Sequence, residues 1–322
     1  MNQVNKLMAK LKENYETVLY LCAVAFLLLA LIKPEIQLKQ EVHNYLLIAD
    51  VSQSMNAEDL KLNNLPVSRL AYTQHLMRGI VNTSACGTYV SVGAFAAENV
   101  ALLFMPLEVC ANLDIINDTI DHLQWRMSWS GNSRITFGIK AAEATFDYLN
   151  SPAQMLFFTD GDEAPKANSI NKLDLSGVRI GKNVIFVGVG GHAPAPIKRF
   201  NANNEFVGYW GTDAAADAGA VGANYADASK DDPDPVVAYS EYDRYLSKQE
   251  ADYLKSLAND IKGQYIEGLD KPEFYQFLQS QAPAANFITA YSLRWLYLLL
   301  AALAVLGTYI PDLLYRLKHR NP

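Results

Sequence analysis

Histidine and cysteine are scarce in this chain, five and three among 322 residues, and none falls inside the motifs that carry its oxygen ligands. Soft and borderline metals, which favour thiolate and imidazole, are therefore poorly served. There is no Gly-x-Ser-x-Gly elbow, no His-Glu-x-x-His pair and no P-loop, so the usual hydrolase and nucleotide-binding devices are missing. The central region has no clustered basic face and the net charge is −7, which argues against nucleic acid as a partner. No internal repeat is present. The acids of Asp227 to Asp234 fit no EF-hand spacing. The Gly188-Val189-Gly190-Gly191-His192 turn lacks the spacing of a phosphate cradle and leads into prolines, so it reads as a plain loop with His192 in solvent.

Against these absences stands one stretch, Asn44-Tyr45-Leu46-Leu47-Ile48-Ala49-Asp50-Val51-Ser52-Gln53-Ser54. A short apolar run ending in Asp-x-Ser-x-Ser reads as a buried strand that delivers three oxygen side chains into the loop at its carboxyl end. Open α/β sheets keep their ligands at that edge. Carboxylates and hydroxyls suit a hard cation, and two hydroxyls with water-bridged acids would be a sensible share of an octahedral Mg²⁺ shell. The bland alternative is a serine-rich turn that merely caps the next helix. Downstream, Gly131-Asn132-Ser133-Arg134-Ile135-Thr136 offers a hydroxyl in a Gly-led loop that opens a helical pattern. Met155-Leu156-Phe157-Phe158-Thr159-Asp160-Gly161 is a second apolar strand ending in an acid.

Taken together, these three loops resemble the metal-ion-dependent adhesion site (MIDAS) of von Willebrand factor type A domains. The resemblance assigns the metal to Asp50, Ser52, Ser54, Ser133 and Asp160. Ser133 stands where the family usually has Thr, and Thr136 is the alternative. It implies hydroxyls that bind Mg²⁺ directly, with Mn²⁺ or Ca²⁺ as substitutes, acids that act largely through water, and a partner's Asp or Glu completing the shell. The expected fold is α/β and Rossmann-like: a mostly parallel sheet with helices on both faces and one antiparallel edge strand.

Two uncharged apolar runs, Val18–Ile32 and Trp295–Ile310, flank this region, each with aromatic residues near its ends. They read as transmembrane helices over 17–34 and 291–310. The first run has no small-x-small site after its apolar core, which favours an uncleaved anchor over a signal peptide. Basic residues in 1–16 and 311–322 put both tails in the cytoplasm and the domain of 35–290 across the membrane, which the bacterial resemblance drawn below implies is the inner membrane with the domain in the periplasm.

Along the domain, Leu65-Pro66-Val67-Ser68-Arg69 opens a helical pattern that runs through Ile80, and a hairpin of Val90–Phe95 with Ala101–Phe104 follows, turning at Ala96 to Asn99. Further helices follow at Leu113–Leu123 and Thr136–Leu149, then a strand at Val184–Val189. Gln37–Val42 reads as a polar connector. Residues 201–246 read as a flexible acidic insertion with an aromatic cluster, Phe206 to Trp210, that either folds back on the domain or meets a partner. Asp213 or Asp217 of this insertion could serve as an internal cap. Ser247 to Glu250 has capping-box spacing before a helix to Ile261; Gln264–Ile266 and a helix from Pro272 to Gln279 close the domain. Cys86 and Cys110 are either a disulfide, if the hairpin strands bring them together, or two buried thiols.

The anchors around a type A domain resemble bacterial Bat proteins that accompany MoxR-type ATPases, and the MxaL-like proteins linked to methanol dehydrogenase maturation. What this implies is a non-enzymatic, metal-dependent protein-binding module. Its partners would be a periplasmic enzyme under assembly, such as a PQQ- and calcium-dependent dehydrogenase, other membrane proteins of the group, or the ATPase. The alternatives are a structural subunit of a Bat-like complex in which the metal is a staple, and a metal-assisted hydrolase.

Overall fold

The computed structural model describes residues 15–128, 133–149, 153–163, 173–201, 203–210 and 246–310; the side chains of 38–40 and 285–290 are not described. Gly131, Asn132, Asp213, Asp217, the Asp227–Asp234 run and both basic tails lie outside these residues.

Residues 41–286 form one unit. Its sheet is built on β2 (Tyr45–Asp50), whose six residues are all buried. Both faces of such a strand must meet apolar layers, which is why it lacks the polar alternation of a half-exposed strand. Beside it lie β5 (Tyr89–Ala96) and β8 (Gln154–Thr159), both parallel to it; β9 (Val184–Gly188) and β14 (Gln264–Glu267) continue the parallel set beyond β8. β6 (Asn99–Leu102) and the two-residue β7 (Leu107–Glu108) pair antiparallel with β5, giving the spatial order β14-β9-β8-β2-β5-β6. The expected antiparallel edge is present, with a second short strand beside it. The hairpin turns where its residues predict, with Ala97 at φ 57°. A separate antiparallel pair, β3 (Leu60–Leu62) with β4 (Leu65–Val67), occupies the stretch expected to open a helix, which starts only at Arg69.

Leu47, Ala49, Val90 and Val92 point to a layer made with α2 (Arg69–Thr83), α3 (Val109–Asp121) and α6 (Pro272–Gln279). Leu46, Ile48, Phe157 and Phe186 meet α4 (Ile135–Leu149) and α5 (Ala251–Ile261) on the other face. The predicted α3 stripe holds at Ile116, Ile120 and Leu123, whereas Leu113 is exposed beside the non-helical Asn112. Cys86 and Cys110 are joined, with Cα atoms 5.2 Å apart. The bridge is set up by β7: Tyr89 pairs with Glu108, which brings the start of α3 to the start of β5.

The capping-box reading of Ser247 is overturned. Ser247 sits in β13 (Leu246–Ser247), paired with β10 (Ala195–Pro196), and Glu250 takes the N-cap position of α5 without a side-chain capping bond. The aromatic cluster folds back in part: β12 (Phe206–Tyr209) pairs with β11 (Lys198–Phe200), Phe200 stacks at 6.0 Å on Trp125, and the Trp125 indole N–H donates to Asn204 at 2.7 Å.

Residues 1–40 and 287–322 form the second unit. Here α1 (Tyr15–Ile32) has 18 residues and a mean hydropathy of 2.2, long and apolar enough to cross a membrane. The second apolar run gives α7 (Arg294–Gly307), at 14 residues shorter than the roughly 20 of an average span. The two helices lie against each other, with Ala23, Ala30, Ala301 and Ala304 buried and Phe26 6.4 Å from Tyr297. The connector expected at Gln37–Val42 is instead β1 (Glu35–Val42), paired with β15 (Ala285–Ser292). Ile36, Leu38 and Val42 supply an alternation that a strand can use.

Candidate metal centre

From β2 the chain crosses to β5 on one side, then returns to lay β8 on the other, so the connection reverses between β2 and β8. Open α/β sheets present their crevice at such a switch point. Ala49 pairs with Phe158, which brings Asp50 at the end of β2 alongside Thr159 and Asp160 at the end of β8. Both acids are fully buried. The third loop arrives through Ser133, which bridges Ala97 just beyond β5, while the Arg134 N–H donates to the Ala97 carbonyl at 2.7 Å.

Ser52 holds the N-cap position of a 3-10 turn, Gln53–Asn56, yet makes no capping bond. Its hydroxyl lies 3.2 Å from that of Ser54. Helix α2 shows the contrast, since Ser68 does accept a capping bond from the Ala71 N–H at 3.1 Å. Adjacent ligands on an octahedral Mg²⁺ at 2.0–2.1 Å stand about 3 Å apart, so the spacing of the two serine oxygens is that of a shared coordination edge. Ser133 is 2% exposed, and its Oγ has no hydrogen-bond partner among the described residues. A buried hydroxyl left in this state costs stability unless something else meets it. Thr136, the alternative hydroxyl, sits on the first turn of α4, where its N–H donates to Glu163 at 3.2 Å.

Asp50 accepts the Ser52 N–H at 2.9 Å on one oxygen and the Thr159 hydroxyl at 2.7 Å on the other. Burial, then the neighbouring Asp160, pushes its carboxyl up to about 7. Asp160 is also raised by burial, although Arg69 opposes the shift. Asp50, which has only neutral donors, is short of positive charge, and a dication would supply it; Arg69 already supplies part of that charge to Asp160. The donor set of hydroxyls and carboxylates, the open Ser133 oxygen and this charge deficit fit Mg²⁺, with Mn²⁺ close in chemistry.

Arg69 is the residue that sequence reading did not single out. Its guanidinium donates to Asp160 Oδ2 at 2.7 Å, to Asp59 Oδ2 at 2.6 Å, and to the Ser247 hydroxyl and carbonyl at 2.8 and 2.9 Å. Its Nε lies 3.1 Å from both Asp59 oxygens, so all five N–H groups are used. Gly190, at φ +136°, makes room for it: a Cβ there would stand 2.8 Å from Nε. The Gly191 N–H binds Asp59 at 2.9 Å, so the plain loop supports this network, while His192 stays exposed beside Glu267. One sequence signal was available. Arg69 heads the stripe Arg69, Thr73, Leu76, Ile80, all buried on α2, and a cation there opposes the helix dipole.

Residues 45–163 match the model of the von Willebrand factor type A domain, a span that includes all five candidate ligands and Arg69. No curated protein sequence matches the chain. Among solved structures, an aerotolerance-related membrane protein from Bacteroides fragilis is similar at 15% identity, over 74% of this chain and 96% of that one, with a TM-score of 0.48. BatB from Bacteroides thetaiotaomicron is similar at 14% identity over the same shares, with a TM-score of 0.47. A membrane-spanning protein from Vibrio fischeri is 18% identical over 75% of this chain and all of that one, at a TM-score of 0.29. By the match over residues 45–163, the α/β unit built on β2 carries a von Willebrand factor type A fold, with further chain on both sides of the matched segment.

Proposed function

We propose that this chain is a membrane-anchored, metal-dependent protein-binding module. Asp50, Ser52, Ser54, Ser133 and Asp160 would hold Mg²⁺, the serines as direct ligands and Asp160 through water. The cation, when bound, supplies an electrophilic position for an acidic side chain of a partner. The observation that carries this reading is the Ser133 hydroxyl, buried and without a partner among the described residues at the edge where the Ser52 and Ser54 oxygens meet.

Binding is favoured over hydrolysis because a nucleophile needs a base beside it. The Asp50 oxygens are held by an N–H and a hydroxyl, and the four described histidines stand elsewhere. His75 pairs with Asp270, His122 with Asp118 and His192 with Glu267, while His43 lines a separate cavity of about 260 Å³.

Helix α1 supports anchoring, and α7 with its flanking residues would make the second span. The basic tails then favour cytoplasmic termini and a periplasmic domain at the inner membrane, a setting in which the Cys86–Cys110 bridge would persist. In this arrangement the chain is a Bat-type accessory protein. A periplasmic enzyme under assembly, with methanol dehydrogenase as the instance its MxaL-like features suggest, would be the partner, and a MoxR-type ATPase a second contact at the tails.

The test is affinity capture from native membranes with tagged full-length protein, in Mg²⁺, in chelator, and with Ser52→Ala. A partner retained only with Mg²⁺ and intact Ser52 is the expected result. Equal recovery in all three conditions would remove the interface from this edge.

A further inference from the structure

Asp50 and Asp160 are not equivalent acids. Asp50 is met by neutral donors alone, the Ser52 N–H and hydroxyl and the Thr159 hydroxyl. Asp160 has the Asp162 N–H on one oxygen and the Arg69 guanidinium on the other. A surface lysine in that position could swing away when a cation arrived. Arg69 cannot: it is 0% exposed, all five of its N–H groups are engaged by Asp59, Asp160 and Ser247, and the Gly190 backbone closes over Nε.

We propose that Arg69 is a fixed internal counter-ion to Asp160, which holds the affinity for a divalent cation low until an incoming carboxylate arrives, so that cation and acidic partner bind cooperatively. This rests on the metal-binding reading above. The charge count carries it. Arg69 carries one positive charge against Asp59 and Asp160 together, so it offsets part of the charge that Asp160 would offer the cation, while Asp50, with neutral donors only, is the acid left without a cationic neighbour. An entering carboxylate restores the charge that Arg69 takes away. Without Arg69 the same edge would present two unmatched acids, enough to hold a dication alone. Asp59 stands on the other side of the guanidinium and shares its charge, so it tunes how much of that charge falls on Asp160. By linkage, the factor by which the carboxylate tightens the cation equals the factor by which the cation tightens the carboxylate, and such couplings run about 5–150-fold.

The experiment measures Mn²⁺ binding by electron paramagnetic resonance on the full chain in detergent, in chloride and in acetate. The wild type is compared with Arg69→Met, Asp59→Asn and Ser52→Ala, and thermal melts report folding. Ratios between variants cancel the complexation of Mn²⁺ by acetate itself. Wild type should bind weakly in chloride and about tenfold more tightly in acetate. Arg69→Met should bind about tenfold more tightly in chloride and lose most of the acetate effect. Asp59→Asn should act in the opposite sense and weaken binding in chloride several-fold, which keeps the test alive should Arg69→Met fail to fold. Wild-type affinity in both folded variants, or in Asp59→Asn alone if it is the one that folds, overturns the role of Arg69 while leaving the metal site standing. Equal Mn²⁺ binding by wild type and Ser52→Ala overturns the metal reading itself.

Discussion

The two ends of the central strands treat their carboxylates in opposite ways. At the amino end of β5, Glu108 accepts the N–H groups of Gly87 and Ala111, both at 2.7 Å, caps α3, and sits beside the Cys86–Cys110 bridge. Burial alone would raise its carboxyl, but the backbone donors outweigh it and hold the group below its ordinary value. At the carboxyl end of β2, Asp50 has comparable hydrogen bonds yet is pushed up to about 7, because it is fully buried and faces a second acid. An acid whose charge is matched by fixed donors is a structural part. A buried acid whose charge is not matched is where the proposed cation would bind.

The contrast breaks most sharply at the disulfide. The bridge closes a segment with a sequence separation of 24 residues. Replacing both cysteines with alanine should cost about 3 kcal/mol by loop-closure entropy, read as a lower denaturation midpoint. Divalent-cation binding at the other end should stay unchanged. A parallel loss of cation binding would mean that the two ends are not independent. Next in size is Ser52→Ala. With cation at about 100 times its dissociation constant, ligand linkage adds about 2.7 kcal/mol to the folded state. The substitution should abolish that gain in a melt run with and without Mg²⁺, while the chelated protein melts near the wild-type temperature.

The pH dependence sharpens the same comparison, since the two ends should show slopes of opposite sign. Asp50 has a folded value near 7 against 3.8 in the ordinary state, so between these values the folded protein binds more protons than the unfolded one. Its contribution to the stability of the chelated protein is present at low pH and lost as pH rises through that window. Glu108 runs the other way, and its contribution is lost as pH falls below its ordinary value. Protons compete with the cation for Asp50, so the stabilisation by Mg²⁺ should grow from pH 5 to pH 8. Melts of wild type and Asp50→Asn across this range, with chelator or Mg²⁺, check both statements; a flat difference between the two proteins would refute the assignment.

How much of this was legible in the residues follows from how local each cause is. Asp-x-Ser-x-Ser after an apolar run is a local signal, and so are Asp160 after its strand and the hydroxyl of Ser133 before its helix. The parallel sheet follows from the same alternation of buried strands and amphipathic helices. What stayed hidden is what forms across long separations. Arg69 meets Asp160 across 91 residues and Ser247 across 178. Ser247 looked like a local cap, and only the pairing of β10 with β13 turns it towards the guanidinium. β1 was half hidden: its residues alternate at Ile36, Leu38 and Val42, but the polar positions between them read as a connector until the pairing with β15 is known. The cysteine pairing was geometrically available from the hairpin, but the structure makes it through β7, two residues too short to be read as a strand.

The smallest expected effect discriminates best between a metal ligand and a structural hydroxyl. Ser133 is buried with its Oγ unpartnered among the described residues. If that oxygen served the apo fold, Ser133→Ala would destabilise the chelated protein as the loss of a hydrogen bond does. As it stands the hydroxyl is desolvated without return, so its removal should leave the chelated protein unchanged or stabilise it by about 1 kcal/mol. In Mg²⁺ the sign should reverse, because on the proposed reading the variant forfeits a ligand to the cation. Ser133→Thr keeps the oxygen and should behave as wild type in both conditions, whereas Thr136→Val should leave the response to Mg²⁺ intact. A crossing of the Ser133→Ala and wild-type melting temperatures as Mg²⁺ is titrated is a signature that neither a staple nor a helix-capping serine produces, since either would lower both curves together.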